Sequence, residues 1–154
     1  MKTIEGPIQN KGKNIAIVVS RFNEFITTRL LKGCLTQLAR CGVRNSQITV
    51  VWVPGSFEIP LVALKLARKK SIHGVVCLGA VIRGETLHFE LVARAASEGI
   101  AQAALLTGKP VIFGVLTTDT VQQAYKRSEA KGDNKGTEAA RNVIEMINLI
   151  QQLK

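Results

Sequence analysis

The chain is 154 residues long, 46% apolar and 21% charged. That length suits one domain over 1–154 with a core that needs no metal or disulfide staple, because a chain of this size buries roughly 68–70% of its unfolded surface. Twenty-one basic residues against eleven acidic give +10, yet no five cations are adjacent and the few aromatics are not interleaved with them, which disfavours specific nucleic-acid binding.

Strands and helices alternate along the chain. Residues 14–20 (NIAIVVS) form a short β-branched run of the kind buried on both faces of a sheet. Apolar residues recur at helical spacing over 25–41, and Gly42 follows as a stop. Residues 48–53 (ITVVWV) read as a second strand, ended by Pro54-Gly55. A helix over 57–70 carries Pro60 in its first turn, where proline is tolerated. A third strand covers 73–82 and an Ala-rich helix covers 88–107. A fourth strand follows at 111–116, then a short helix at 120–127 and an amphipathic helix at 138–153. Such alternation predicts a three-layer α/β fold, with a four-stranded parallel sheet and helices on both faces.

No run approaches the ~20 apolar residues of a membrane span. The first residues, MKTIEGPIQNKGK, lack the apolar stretch of a signal peptide, so no membrane association and a cytoplasmic location are expected. Cys34, Cys41 and Cys77 are odd in number and form no CxxC, which reads as buried inert thiols. Two histidines and scattered cysteines make no metal site, and no GxSxG motif suggests a covalent nucleophile. The charge is lopsided: residues 1–77 hold twelve basic and three acidic side chains, and 78–154 hold nine and eight.

In open α/β sheets ligands bind beyond the carboxyl ends of the strands, so the residues after each strand are the candidates. After strand one, Phe22 either stacks on a planar ligand beside Asn23 or tucks beneath the next helix. After strand two, Ser56 and Glu58 either face a ligand or cap the helix. After strand three, RGETLHFE places a glycine, a threonine hydroxyl and a helix N-terminus together, as a phosphate cradle requires. It has neither the P-loop nor the GxGxxG pattern. His88 follows at once, and an imidazole suits proton transfer near neutrality; His73 has no such company and reads as structural. Farther on, Arg127 either holds a phosphate or is a surface arginine.

Five segments carry a resemblance when taken together: SRFNEFIT at 20–27, VWVPGSFEIP at 51–60, GAVIRGETLHFE at 79–90, PVIFGVLTTDT at 110–120 and NKGTEAA at 134–140. In that order and spacing they resemble the 6,7-dimethyl-8-ribityllumazine synthase family of riboflavin biosynthesis, across nearly the whole chain. The resemblance implies a flavodoxin-like fold and a segment, 1–13, that pairs with a neighbouring subunit. It implies a transferase reaction without cofactor, in which 5-amino-6-(D-ribitylamino)uracil condenses with 3,4-dihydroxy-2-butanone 4-phosphate. Phe22 would stack on the pyrimidine, and Ser56, Phe57 and Glu58 would hold the ribityl side with Asn23 nearby. Ala80, Val81 and Ile82 would meet the uracil through backbone groups, Phe113 would come from an adjacent subunit, and Lys135 would face the pyrimidine. Glu85, through its amide, would bind phosphate with Thr86 and Arg127, and His88 would move protons. Glu138 stands where relatives often carry an acidic residue that orients the histidine. Homopentamers, alone or as twelve in a 60-subunit shell, and riboflavin synthase as a partner are also implied. The alternatives are a non-catalytic flavin- or lumazine-binding module and a shell-forming protein.

Overall fold

A computed structural model of the protein describes residues 1–154. Four parallel strands, β1 (Ile15–Ser20), β2 (Ile48–Val53), β3 (Gly74–Ile82) and β4 (Val111–Thr118), stand in the order β2-β1-β3-β4. Five helices cover them: α1 (Glu24–Arg40), α2 (Ile59–Ala67), α3 (His88–Thr107), α4 (Val121–Lys126) and α5 (Lys135–Gln152). This is the expected three-layer α/β arrangement of flavodoxin-like proteins.

The alternation of side chains along a strand explains the layers. Ile15, Ile17 and Val19 of β1 point into a core shared with Leu30 and Leu38 of α1 and Val143 and Ile147 of α5. Ala16 and Val18 point the other way, into a core with Ile59 and Ala63 of α2 and Ile100 of α3. All six residues of β1 are therefore buried, which is why this strand reads as a continuous apolar run instead of an alternating one. At the sheet edge β2 leaves Thr49 and Val50 exposed.

Some boundaries differ from the sequence expectation. The second helix is shorter: Ser56–Glu58 make a separate tight turn, α2 begins at Ile59, and Pro60 sits at its start. It stops at Ala67 because Arg68-Lys69-Lys70 offers no apolar side chain to bury in another turn. β4 continues through Thr117 and Thr118, which pair with Val81 and Ile82. α5 starts one turn early because the Asn134 side chain accepts a hydrogen bond from the Thr137 amide at 3.1 Å. That cap draws Lys135 into the first helical turn.

The first residues run along α5 of the same chain. Asn148 Nδ2 donates to the carbonyls of Pro7 (2.6 Å) and Gln9 (3.0 Å), and Gln152 Nε2 donates to that of Glu5 (2.7 Å). Cys34, Cys41 and Cys77 are buried free thiols. Burial pushes the Cys34 thiol up to about 12 and raises that of Cys77 as well. No helix is long and apolar enough to cross a membrane.

Candidate active site

The strand order reverses direction between β1 and β3, and the loops that follow these strands leave toward opposite faces of the sheet, the geometry in which α/β sheets open a binding crevice. Asn23 holds this point together. It is the only non-glycine residue with positive φ (59°), a conformation that asparagine tolerates better than most residues. Its carbonyl accepts from the amides of Ile26 (2.9 Å) and Thr27 (3.1 Å), starting α1. Its side-chain nitrogen leaves the helix and donates to the Ala80 carbonyl at 2.8 Å. The amide nitrogen of Asn23 and the Ala80 carbonyl thus engage each other, leaving Asn23 Oδ1 and the neighbouring backbone for a ligand.

The turns from β1 and β2 are tied as well: Arg21 N–H donates to Val53 O (2.8 Å) and Phe22 N–H to Pro54 O (3.0 Å). Between these fixed backbones the Phe22 ring stands 71% exposed and that of Phe57 61% exposed, so Phe22 is not tucked under α1. Ser56 is buried beside them and makes no side-chain cap on the following turn. Glu58 folds back, and its carboxylate accepts from the Gly55 amide at 2.9 Å. Ala80 and Val81 are buried, and Ile82 is half-buried.

Beyond β3, Arg83 N–H closes onto Thr118 O at 2.8 Å. The amides of residues 84–87 then donate no hydrogen bond within the chain, while Thr86 Oγ1 accepts from the His88 amide at 3.3 Å. Glu85, Thr86 and His88 are all exposed. An exposed run of amides at the positive end of a 20-residue helix is suited to an anion.

Arg83, which is not among the sequence-based candidates, braces this loop. Its guanidinium bonds Asp119 (2.8 Å) and Glu90 (3.2 Å) and lies 4.5 Å from the centre of the Phe89 ring. The hydrogen bond to Asp119, and then that to Glu90, raises its pKa further. An arginine between a strand end and a glycine was the only available sign of it.

The remaining candidates gather elsewhere. Phe113, Arg127 and Lys135 line a cavity of about 260 Å³ along β4, together with Glu138 and Asn142. The ammonium of Lys135 lies 2.8 Å from Glu138 and 3.7 Å from Asp133, and the Glu138 hydrogen bond raises its pKa. Within one chain Glu138 is therefore the partner of Lys135. Phe113 and Arg127 also border a wider cavity of about 940 Å³ with Arg83 and Glu90. Neither cavity is lined by Phe22, Ser56, Glu85, Thr86 or His88. The chain thus carries one group of candidate residues on the loops after β1, β2 and β3 and a second along β4, lining these two cavities.

Part of the excess positive charge has its own place. Arg29, Lys32 and Arg40 line a groove of about 460 Å³ beside α1 that contains no acidic residue. His73 lies at the opposite end of the sheet, where Nδ1 accepts from the Asn14 amide at 3.1 Å.

The model of the family described as 6,7-dimethyl-8-ribityllumazine synthase matches residues 12–151.

Proposed function

The chain belongs to the 6,7-dimethyl-8-ribityllumazine synthase family, a family of transferases that make lumazine in riboflavin biosynthesis, and we propose that its substrates are 5-amino-6-(D-ribitylamino)uracil and 3,4-dihydroxy-2-butanone 4-phosphate. Each amine condenses with a carbonyl carbon and releases one water. Between the two condensations, proton loss from the carbon next to the imine expels phosphate, and the enol left behind ketonises to the second carbonyl. The products are one lumazine, one phosphate and two waters.

The observation that carries this proposal is the junction at Asn23 and Ala80, where an exposed aromatic ring, a buried serine and unpaired loop amides surround the reversal of strand order. Phe22 takes the face of the pyrimidine, and backbone groups of residues 80–82 take its edge. Ser56, Phe57 and Glu58 take the ribityl side, with Asn23 Oδ1 nearby. The amides of Glu85 and Thr86 hold the phosphate, and the exposed imidazole of His88 moves the protons.

Phe113, Arg127 and Lys135 belong to the same chemistry but line a cavity along β4 that none of Phe22, Ser56, Glu85, Thr86 and His88 borders. A full site therefore forms where the first group of one copy meets the second group of another, within a homopentamer. There Arg127 adds bidentate contacts to the phosphate. Lys135, held by Glu138, presents its charge to the pyrimidine. A cytoplasmic enzyme acting on small soluble substrates completes the proposal.

The two substrates already react with each other, so holding them in register is the main task. Loss of translational freedom on binding lowers such a barrier by up to ~7–11 kcal/mol. Mixing the purified protein with both substrates and following lumazine fluorescence tests this. Acceleration over the uncatalysed background is expected; a folded oligomer that binds both compounds without acceleration would make the protein a binding module.

A further inference from the structure

β1 ends on Ser20, whose side chain is completely buried. Its carbonyl is occupied, accepting from Thr27 Oγ1 at 2.8 Å. Its hydroxyl is the one buried side-chain polar atom of the chain that has no hydrogen-bond partner. Folded proteins retain few such groups, because an unpaired buried donor destabilises the free protein.

The position of that hydroxyl indicates its use. A methyl group added to Gly79 of β3 would lie 3.1 Å from Ser20 Oγ and 2.5 Å from Ser56 Oγ. Glycine at 79 therefore lets two hydroxyls, one at the end of β1 and one just after β2, close in on β3 around a single point. Ser56 belongs to the group proposed above to hold the ribityl chain, whereas Ser20 is sealed beneath it. Nothing in either hydroxyl's packing on Gly79 requires an oxygen; alanine would fill the same space at Ser20 without an orphaned donor.

The two hydroxyls are not bonded to each other in the free protein, and we propose that Ser20 is a positioning residue for the polyhydroxylated substrate: when a ribityl hydroxyl engages Ser56 and turns its side chain over Gly79, the Ser20 hydroxyl donates to Ser56 Oγ and directs the Ser56 proton toward the substrate oxygen. The inference rests on the proposed substrates. The donor left unpaired in the free protein gains its partner only in the complex, so stability is given up for binding at this one atom.

The test is Ser20→Ala in the full chain, read by thermal unfolding and by calorimetric affinity for 5-amino-6-(D-ribitylamino)uracil. Removing the orphaned hydroxyl is expected to raise the unfolding midpoint by about 2–6 °C and to weaken ribitylaminouracil binding about 5- to 10-fold. Affinity for the butanone phosphate stays unchanged. In Ser20→Ala/Ser56→Ala the loss should equal that of Ser56→Ala alone, because the two hydroxyls act as one unit. A stabilised variant with unchanged affinity, or a variant whose midpoint falls, overturns the proposal. Should Ser20→Ala fail to fold, Ser20→Gly also removes the hydroxyl, and unchanged affinity there overturns it as well. Turnover by the unaltered protein is scored separately: its absence removes the substrate assignment, while the affinity ratio still decides Ser20.

Discussion

Asn23 Nδ2 donates to the carbonyl of Ala80 across 2.8 Å, fastening the loop after β1 to β3 at the place where the strand order reverses. The same residue occupies the left-handed backbone region that starts α1. Two separate demands, a conformation and a hydrogen bond, thus fall on one side chain.

These demands separate by mutation. Asn23→Gly keeps the backbone conformation and loses the bond, so it should cost about 0.5–1.5 kcal/mol. Asn23→Ala loses both, adding roughly 1–2 kcal/mol for an alanine held at positive φ. Denaturant unfolding of the two variants checks this. Equal losses would mean that the backbone conformation carries no cost for alanine here.

His88→Ala should slow lumazine formation by about 10²–10⁴-fold, the usual contribution of a general acid–base. Turnover above background should remain, since substrate juxtaposition supplies the larger part of the acceleration. Initial rates at saturating substrate measure it. Background-level turnover in a folded variant that still binds both substrates would refute a mechanism dominated by proximity.

Burial first, and then the positive charge of Lys13, hold the His73 pKa below its usual value of 6.5, with Lys109 and Lys154 adding to the effect. The unfolded chain therefore takes up a proton at a higher pH than the folded protein does. Stability from this group is complete above about pH 6.5 and is lost as pH falls from there through the lowered folded value. His73→Gln should flatten that part of the stability–pH curve, as followed by denaturant midpoints between pH 7.5 and pH 5. An unchanged slope would assign the acid sensitivity to other groups.

Cys34 and Cys77 are fully buried with raised pKa values, and the Cys41 side chain is buried as well. A thiol reagent at pH 8 should label none of the three in the folded protein and all three after denaturation, because reaction needs an accessible thiolate. Rapid labelling of native protein would show that this core opens.

Much of the fold was legible because β1 and β3 carry uninterrupted apolar runs, and because α1 and α5 repeat their apolar residues at the helical period. What sequence could not supply was the local competition at element ends. Asn134 drew Lys135 into α5, and three cations cut α2 short at Ala67. The setting of the candidate site was legible in parts: Phe22 is exposed and the loop at 84–87 has free amides. Grouping was not legible. Within one chain Arg127 lines cavities with Phe113, Lys135 and Arg83, neighbours that only the tertiary fold gathers. The role of Arg83 was not legible because its partners, Glu90 and Asp119, meet it only through the tertiary fold. Ser20 was not legible for a similar reason, since its orphaned hydroxyl is a property of packing around Gly79.

That separation of the two groups of residues leads to a decisive experiment with two defective proteins. Phe22→Asp disables the group at the ends of β1–β3, and Arg127→Ala disables the group along β4. Each homo-oligomer alone should form lumazine at little more than the uncatalysed rate. After the two are unfolded, mixed in equal amounts and refolded together, about a quarter of the interfaces should unite one intact group from each chain, restoring about a quarter of the normal rate. Recovery near that level is the expected result. No recovery from correctly assembled mixed oligomers would mean that both groups must come from one chain, which contradicts a site shared between copies.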